Sequence, residues 1–156
     1  MEDALNRFAL LSAMLVLPVS ASAGPASDAV RYFYDTFKFE GAPEVRDRFA
    51  DPARTKFEEN DQLIESEDKV GCIDFSLSLD AQDYDEGEVA RSLKLDEKIS
   101  GDNAEVTARF RIFAEDDDAD RQIVWSLKTI GGAWKITDIA SKSGDWRLSE
   151  FYCESE

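Results

Sequence analysis

Between Glu105 and Ala140 one pattern occurs three times: apolar and polar residues alternate, break at an acidic run, alternate again, break at Gly131-Gly132, and alternate once more. Val106, Ala108, Phe110 and Ile112 fall on one side of the first run, with Thr107, Arg109 and Arg111 on the other. Ile123, Trp125 and Leu127 alternate with Val124, Ser126 and Lys128 in the second, and Trp134 and Ile136 with Lys135 and Thr137 in the third. A period of two belongs to a strand with one buried face, because successive side chains leave the pleated backbone on opposite sides. Paired glycines between such runs mark a tight hairpin, since a two-residue primed turn needs positive φ and glycine reaches it without a Cβ clash. An antiparallel meander is expected, and the rest of the chain must cover its apolar face.

At 156 residues the chain is long enough for one domain with its own core. Its 18 basic against 34 acidic residues leave a formal charge of −16. That field repels phosphate duplexes and anionic lipid surfaces, which argues against nucleic-acid and membrane roles. Residues 1–23 read as a signal peptide. Phe8 to Val19 is apolar but too short to span a bilayer, and it runs into the small-x-small sequence Ala21-Ser22-Ala23. The expected mature domain is 24–156, periplasmic or secreted. Cys72 and Cys153 both lie in it; an even count in an oxidising compartment favours a bridge, the alternative being two unpaired thiols.

Val30, Phe33, Tyr34 and Phe37 sit at i, i+3, i+4 and i+7, one apolar helical stripe ended by Gly41 and Pro43. A second helix is expected from Asp51-Pro52, with the aspartate as N-cap, proline at the first helical position, and Ala53, Phe57, Asn60 and Ile64 on one side. Ile73, Phe75, Leu77 and Leu79 alternate and suggest a short extended piece, and Glu88 to Ser100 reads as a further strand. Between them, Asp80 to Glu86 gathers carboxylates around Gln82 and Tyr84; the spacing does not match an EF-hand loop, so no metal is assigned there.

Histidine is absent. This removes the usual base near neutral pH, the histidine-activated nucleophiles and nearly all zinc sites. No Cys-x-x-Cys pair or glycine-rich phosphate loop is present, and no cofactor is implied. Acid–base work would fall to carboxylates flanked by apolar residues: Asp74, Asp80, Asp83 and Asp138. Asp138 is expected to pair with Arg109 or Arg111 on a neighbouring strand.

The motifs V-R-x-F-Y-x-x-F (Val30 to Phe37), LDAQDYD (Leu79 to Asp85), VTARFRI (Val106 to Ile112) and VWSLKTIGGAWKITDI (Val124 to Ile139) together resemble the nuclear-transport-factor-2-like, cystatin-like superfamily. Within it they are most similar to a family of small exported bacterial proteins of unknown function. The resemblance implies an α+β cone, with N-terminal helices packed on a curved antiparallel β-sheet and a pocket between the first helix and the sheet. Tyr34, Phe37, Phe110 and Trp125 would line that pocket, with Asp80, Gln82, Asp83 and Tyr84 at its mouth. The leading expectation is a non-catalytic binding or interaction domain, monomeric or homodimeric, for a small apolar ligand or a protein partner. The alternatives are an inhibitor or immunity-type protein, and a carboxylate-dependent isomerase or hydrolase using Asp80 or Asp83 with Tyr84.

Overall fold

In the computed structural model, which describes residues 24–67 and 70–153, helices are followed by a five-stranded antiparallel sheet. The proposed signal segment lies outside the described residues. Helix α1 spans Pro25–Thr36, a 3₁₀ turn follows at Pro43–Arg48, and α2 spans Ala53–Glu67. A short helix α3, Glu86–Ser92, leads into strands β1 (Lys94–Ser100), β2 (Asn103–Arg111), β3 (Asp120–Ile130), β4 (Ala133–Ser141) and β5 (Trp146–Arg147). The strands pair in chain order as an open meander. This is the expected fold class, α+β with helices on an antiparallel sheet. No helix among the described residues is long and apolar enough to cross a membrane.

The alternating runs place their apolar sides together. Val106 lies opposite Trp125, and Trp125 opposite Ile139, so one face of β2, β3 and β4 is continuous and buried. Gly131 and Gly132, at φ 60 and 80, close the β3–β4 hairpin. The β3–β4 register shifts at Ser126/Leu127, leaving Thr137 as an extra residue, and this bulge lets Ile136 and Ile139 both face the core three positions apart. Against this face α1 lays Val30, Phe33 and Tyr34. Glu97 of β1 reaches the start of α1, where its carboxylate accepts the Ser27 N–H at 2.6 Å, the favoured end for a negative charge.

Several local expectations change. The α1 stripe stops short of Phe37, which adopts a left-handed conformation (φ 48) as the helix C-cap and turns the chain out. Helix α2 starts at Ala53, after Pro52, and the Asp51 carboxylate takes the Thr55 hydroxyl at 2.7 Å rather than capping backbone amides. Ile64 is exposed, so the buried side of α2 ends at Asn60. The start of the expected Glu88–Ser100 strand is helical: Asp85 accepts the Glu88 N–H at 2.8 Å as an N-cap, and about two turns of helix bury Val89. The Ile73–Leu79 alternation makes no strand: the amides of Ile73, Leu77 and Ser78 bond to the side chains of Asn60 and Glu40, and those of Ser76 and Leu79 to carbonyls of the segment itself. Asp138 pairs with Arg147 (2.9 Å) instead of Arg109 or Arg111, since β5 and the turn after it lie alongside β4. Ser149 adds its N–H and hydroxyl to the same carboxylate at 3.1 and 2.8 Å.

Candidate functional site

The segment from Gly71 to Asp85 has almost no regular structure, yet side chains from every layer hold it. Its first anchor is the Cys72–Cys153 disulfide, with the Cα atoms 5.3 Å apart. Beside it the buried Asn60 amide oxygen of α2 accepts the Ile73 N–H at 2.9 Å. Further along, Glu40, fully buried, accepts the N–H groups of Leu77 (3.1 Å) and Ser78 (2.8 Å) and the Ser76 hydroxyl (3.3 Å). A carboxylate can take several donors at once, and this one does for the loop what a strand partner would have done. Burial pushes the Glu40 carboxyl above its ordinary 4.5, opposed by the hydrogen bonds it receives.

Two more ties join the loop to the sheet. The Tyr34 hydroxyl donates to the Ser78 carbonyl at 3.0 Å and accepts the Trp125 indole N–H at 3.2 Å. Burial raises its pKa well above 10.0, so it stays protonated as that bond requires. Asp80, left-handed at φ 50, accepts the Ser141 hydroxyl at 2.7 Å and the Trp146 indole at 2.6 Å, while its carbonyl takes Arg121 Nε at 3.3 Å.

These contacts place the expected site residues in two groups. Tyr34, Phe110 and Trp125 lie inside. Tyr34 meets Phe110 edge-on at 5.3 Å between ring centroids, and Phe33 stacks on Trp125 at 5.4 Å. Both layers contribute large rings that close on one another, so these side chains fill the space under α1 that the cone reading left for a ligand. Phe37, Gln82 and Tyr84 come together at the surface. Phe37 stacks on Tyr84 at 5.6 Å, and with Phe39 and Phe75 they border a groove of about 430 Å³ lined also by Asp74, Ser76, Ala81 and Gln82. Asp80 does not line this groove and serves as a structural acceptor, and Asp83 is exposed and outside its lining.

Phe39 is the residue that pattern reading passed over. It belongs to neither the α1 stripe nor a strand, and it is 40% exposed at the groove rim. An aromatic side chain outside every hydrophobic period is the signal that could have found it. Chemically the groove offers apolar contact with polar edges. The Asp80 and Asp138 carboxylates are directed by donors of the scaffold, Glu40 is sealed from solvent, and burial raises the Tyr84 hydroxyl above 10.0. Among the described residues no group of three or more acidic or cysteine side chains is arranged to hold a metal ion.

No protein-family profile matches the chain, and no curated protein matches it in sequence. Among solved structures it is similar to a chain of the type VI native effector–immunity complex Tae3-Tai3 from Ralstonia pickettii. The TM-score is 0.50 at 16% identity, over 78% of this chain and 97% of that one. At this identity the likeness bears on the fold.

Proposed function

We propose that this chain is a non-catalytic domain of inhibitor or immunity type, which recognises a protein partner through the groove bordered by Phe37, Phe39, Phe75 and Tyr84. The observation that carries the reading is the rigid presentation of these rings at the surface. Aromatic anchors in a shallow, pre-positioned groove are what protein interfaces concentrate their binding energy on. The ties to Glu40, Tyr34, Asp80 and Cys153 fix the loop before binding, which lowers the ordering cost of association. The fold neighbour from an effector–immunity complex adds support, in that a chain of this architecture takes part in protein recognition.

Export belongs to the same proposal: cleavage after Ala23 would deliver the chain to an oxidising compartment, where a bond such as Cys72–Cys153 persists. The proposal keeps the domain in the nuclear-transport-factor-2-like group, as a member whose interior is packed with its own aromatic rings.

The test begins with affinity capture from an extract of the producing organism and identification of the bound protein, followed by Kd measurements for Phe39→Ala and Tyr84→Ala. Either change weakens binding by about 2 kcal/mol, roughly thirtyfold, as loss of an anchor does. Phe39→Ala costs about 1 kcal/mol of stability at most, because the ring, 40% exposed, lies outside the core cluster. Unchanged affinity in both variants removes the groove from the interface. A small molecule retained on the purified protein in native mass spectrometry, with no protein partner found, overturns the protein-binding reading.

A further inference from the structure

On a chain of charge −16, one region of the surface is cationic. Where the end of α3 meets β1, β2 and β3, a groove of about 740 Å³ is lined by Arg91, Lys94, Arg109, Arg111 and Arg121, with Asp120 as its one carboxylate. The sequence pattern scatters these residues over a helix, a strand start and two further strands; pairing brings them together. Lys94 stands directly opposite Arg109 across the β1–β2 ladder, and like charges in that position oppose each other.

Their compensation is incomplete. Arg91 pairs with Glu88 at 2.5 Å, Arg109 with Asp96, and Arg111 with Asp120 at 3.5 Å. Asp96 and Asp120 are well exposed, so their hold on the guanidinium groups is weak and exchangeable. Among the described residues Arg121 donates to main-chain carbonyls, those of Asp80, Asp118 and Asp120, which orient the guanidinium without neutralising it. Lys94 makes no ion pair among the described residues.

We propose that this groove is a second docking site, separate from the aromatic one, and that it takes an acidic segment of a protein partner, two or three neighbouring carboxylates on a short stretch of chain. A guanidinium oriented as that of Arg121 is, beside others whose exposed partners exchange, suits carboxylate oxygens, which such groups engage through paired N–H donors. The size of the cationic region selects the occupant. A duplex or a lipid surface carries negative charge well past the groove and meets the acidic remainder of the molecule, whereas a short acidic segment ends where the cations end. The site shares no lining residue with the aromatic groove, and its occupancy does not depend on that groove.

The experiment is a titration of the isotope-labelled domain with a blocked hexaglutamate peptide, followed by amide chemical shifts. Separate arms use inorganic phosphate and a duplex of about a dozen base pairs. With the peptide, shifts concentrate at the start of β1, the end of β2 and the start of β3, and they fade as NaCl rises from about 50 to about 500 mM. Lys94→Gln, at an exposed strand position with no ion pair among the described residues, weakens the peptide about fivefold, and Lys94→Glu with Arg109→Glu about fiftyfold or more, with the remaining spectrum intact. Phe39→Ala binds the peptide as wild type does, which separates failure here from failure of the aromatic groove. Absence of shifts at these strands, shifts spread over the whole surface, or phosphate or duplex binding as tightly as the peptide each overturns the proposal.

Discussion

The carboxylate of Glu40 accepts the backbone N–H of Ser78 at 2.8 Å across a separation of 38 residues. It is a buried carboxyl group with no cation in ion-pair range among the described residues, held by neutral donors alone. Without it the amides of Leu77 and Ser78 would be buried without a partner, and the loop carrying Phe75 and Tyr84 would lose its middle anchor.

That arrangement makes stability depend on pH in a definite direction. Burial raises the folded Glu40 pKa above the ordinary 4.5, so over the interval between the two values the folded chain holds a proton that the unfolded chain has released. The contribution is fully present below the unfolded value and is lost as pH rises through the folded one. Glu40→Gln does not titrate. Urea denaturation of both proteins from about pH 4 to about pH 7 will show the wild type losing stability relative to the glutamine variant as pH rises. A difference that stays flat across that range would mean Glu40 ionises alike in both states.

Tyr34→Phe keeps the ring and removes the hydroxyl. The Ser78 carbonyl loses its donor and the Trp125 indole its acceptor, both in the interior. Stranding such groups costs about 1–3 kcal/mol, and no cavity is created to add to it. The unfolding midpoint in urea will fall while the m-value stays the same. A variant as stable as wild type would show that relaxation or water replaces both bonds.

The Cys72–Cys153 bridge joins residues 81 positions apart, a loop for which the chain-entropy model gives about 4–5 kcal/mol. Reduction, or Cys72→Ser with Cys153→Ser, will lower stability by an amount approaching that figure. It will also loosen the aromatic cluster of Phe75, Trp146 and Phe151, which tryptophan fluorescence reads. Free thiols titrating in non-reduced protein would contradict the bridge.

Gly144 and Gly131 respond to alanine for different reasons. A Cβ at Gly144 meets Asp80 Oδ2 at 2.5 Å and the Trp146 indole at 2.8 Å, and Asp80 has no room to yield while Ser141 and Trp146 hold it. Gly144→Ala is expected to cost about 1–3 kcal/mol by overpacking, and less when Asp80→Ala is already present. At Gly131 the space is open and the cost is that of positive φ, about 1 kcal/mol, additive with Asp80→Ala. Equal additivity at both positions would remove the Asp80 contact as the cause.

The meander was legible because a strand's period of two is a local property. Val106, Ala108 and Phe110 needed nothing but one another to declare a buried face, and Gly131-Gly132 declared the turn. The stripe of α1 was legible for the same reason, and so was the availability of two cysteines for a bridge. The Gly71–Asp85 segment was not. Its leucines alternate as a strand's would, but the amides of Ile73, Leu77 and Ser78 are taken by Asn60 and Glu40, whose distance along the chain leaves no mark in local periodicity. Asp80 likewise looked like a member of an acidic loop, and Ser141 and Trp146 turn it into a fastening.

The sequence by itself determined the class of this protein: a half-buried antiparallel sheet, an amphipathic helix to cover it, and a strongly acidic net charge. These follow from hydrophobic period and net charge, which are sums over neighbouring residues. Only the tertiary structure decided that the space beneath α1 is filled by Phe33, Tyr34, Phe110 and Trp125, that Phe39 and Tyr84 face outward, and that five cations meet at one groove. Packing volume and strand register are relations between distant segments, and they acquire values only when those segments are brought into contact.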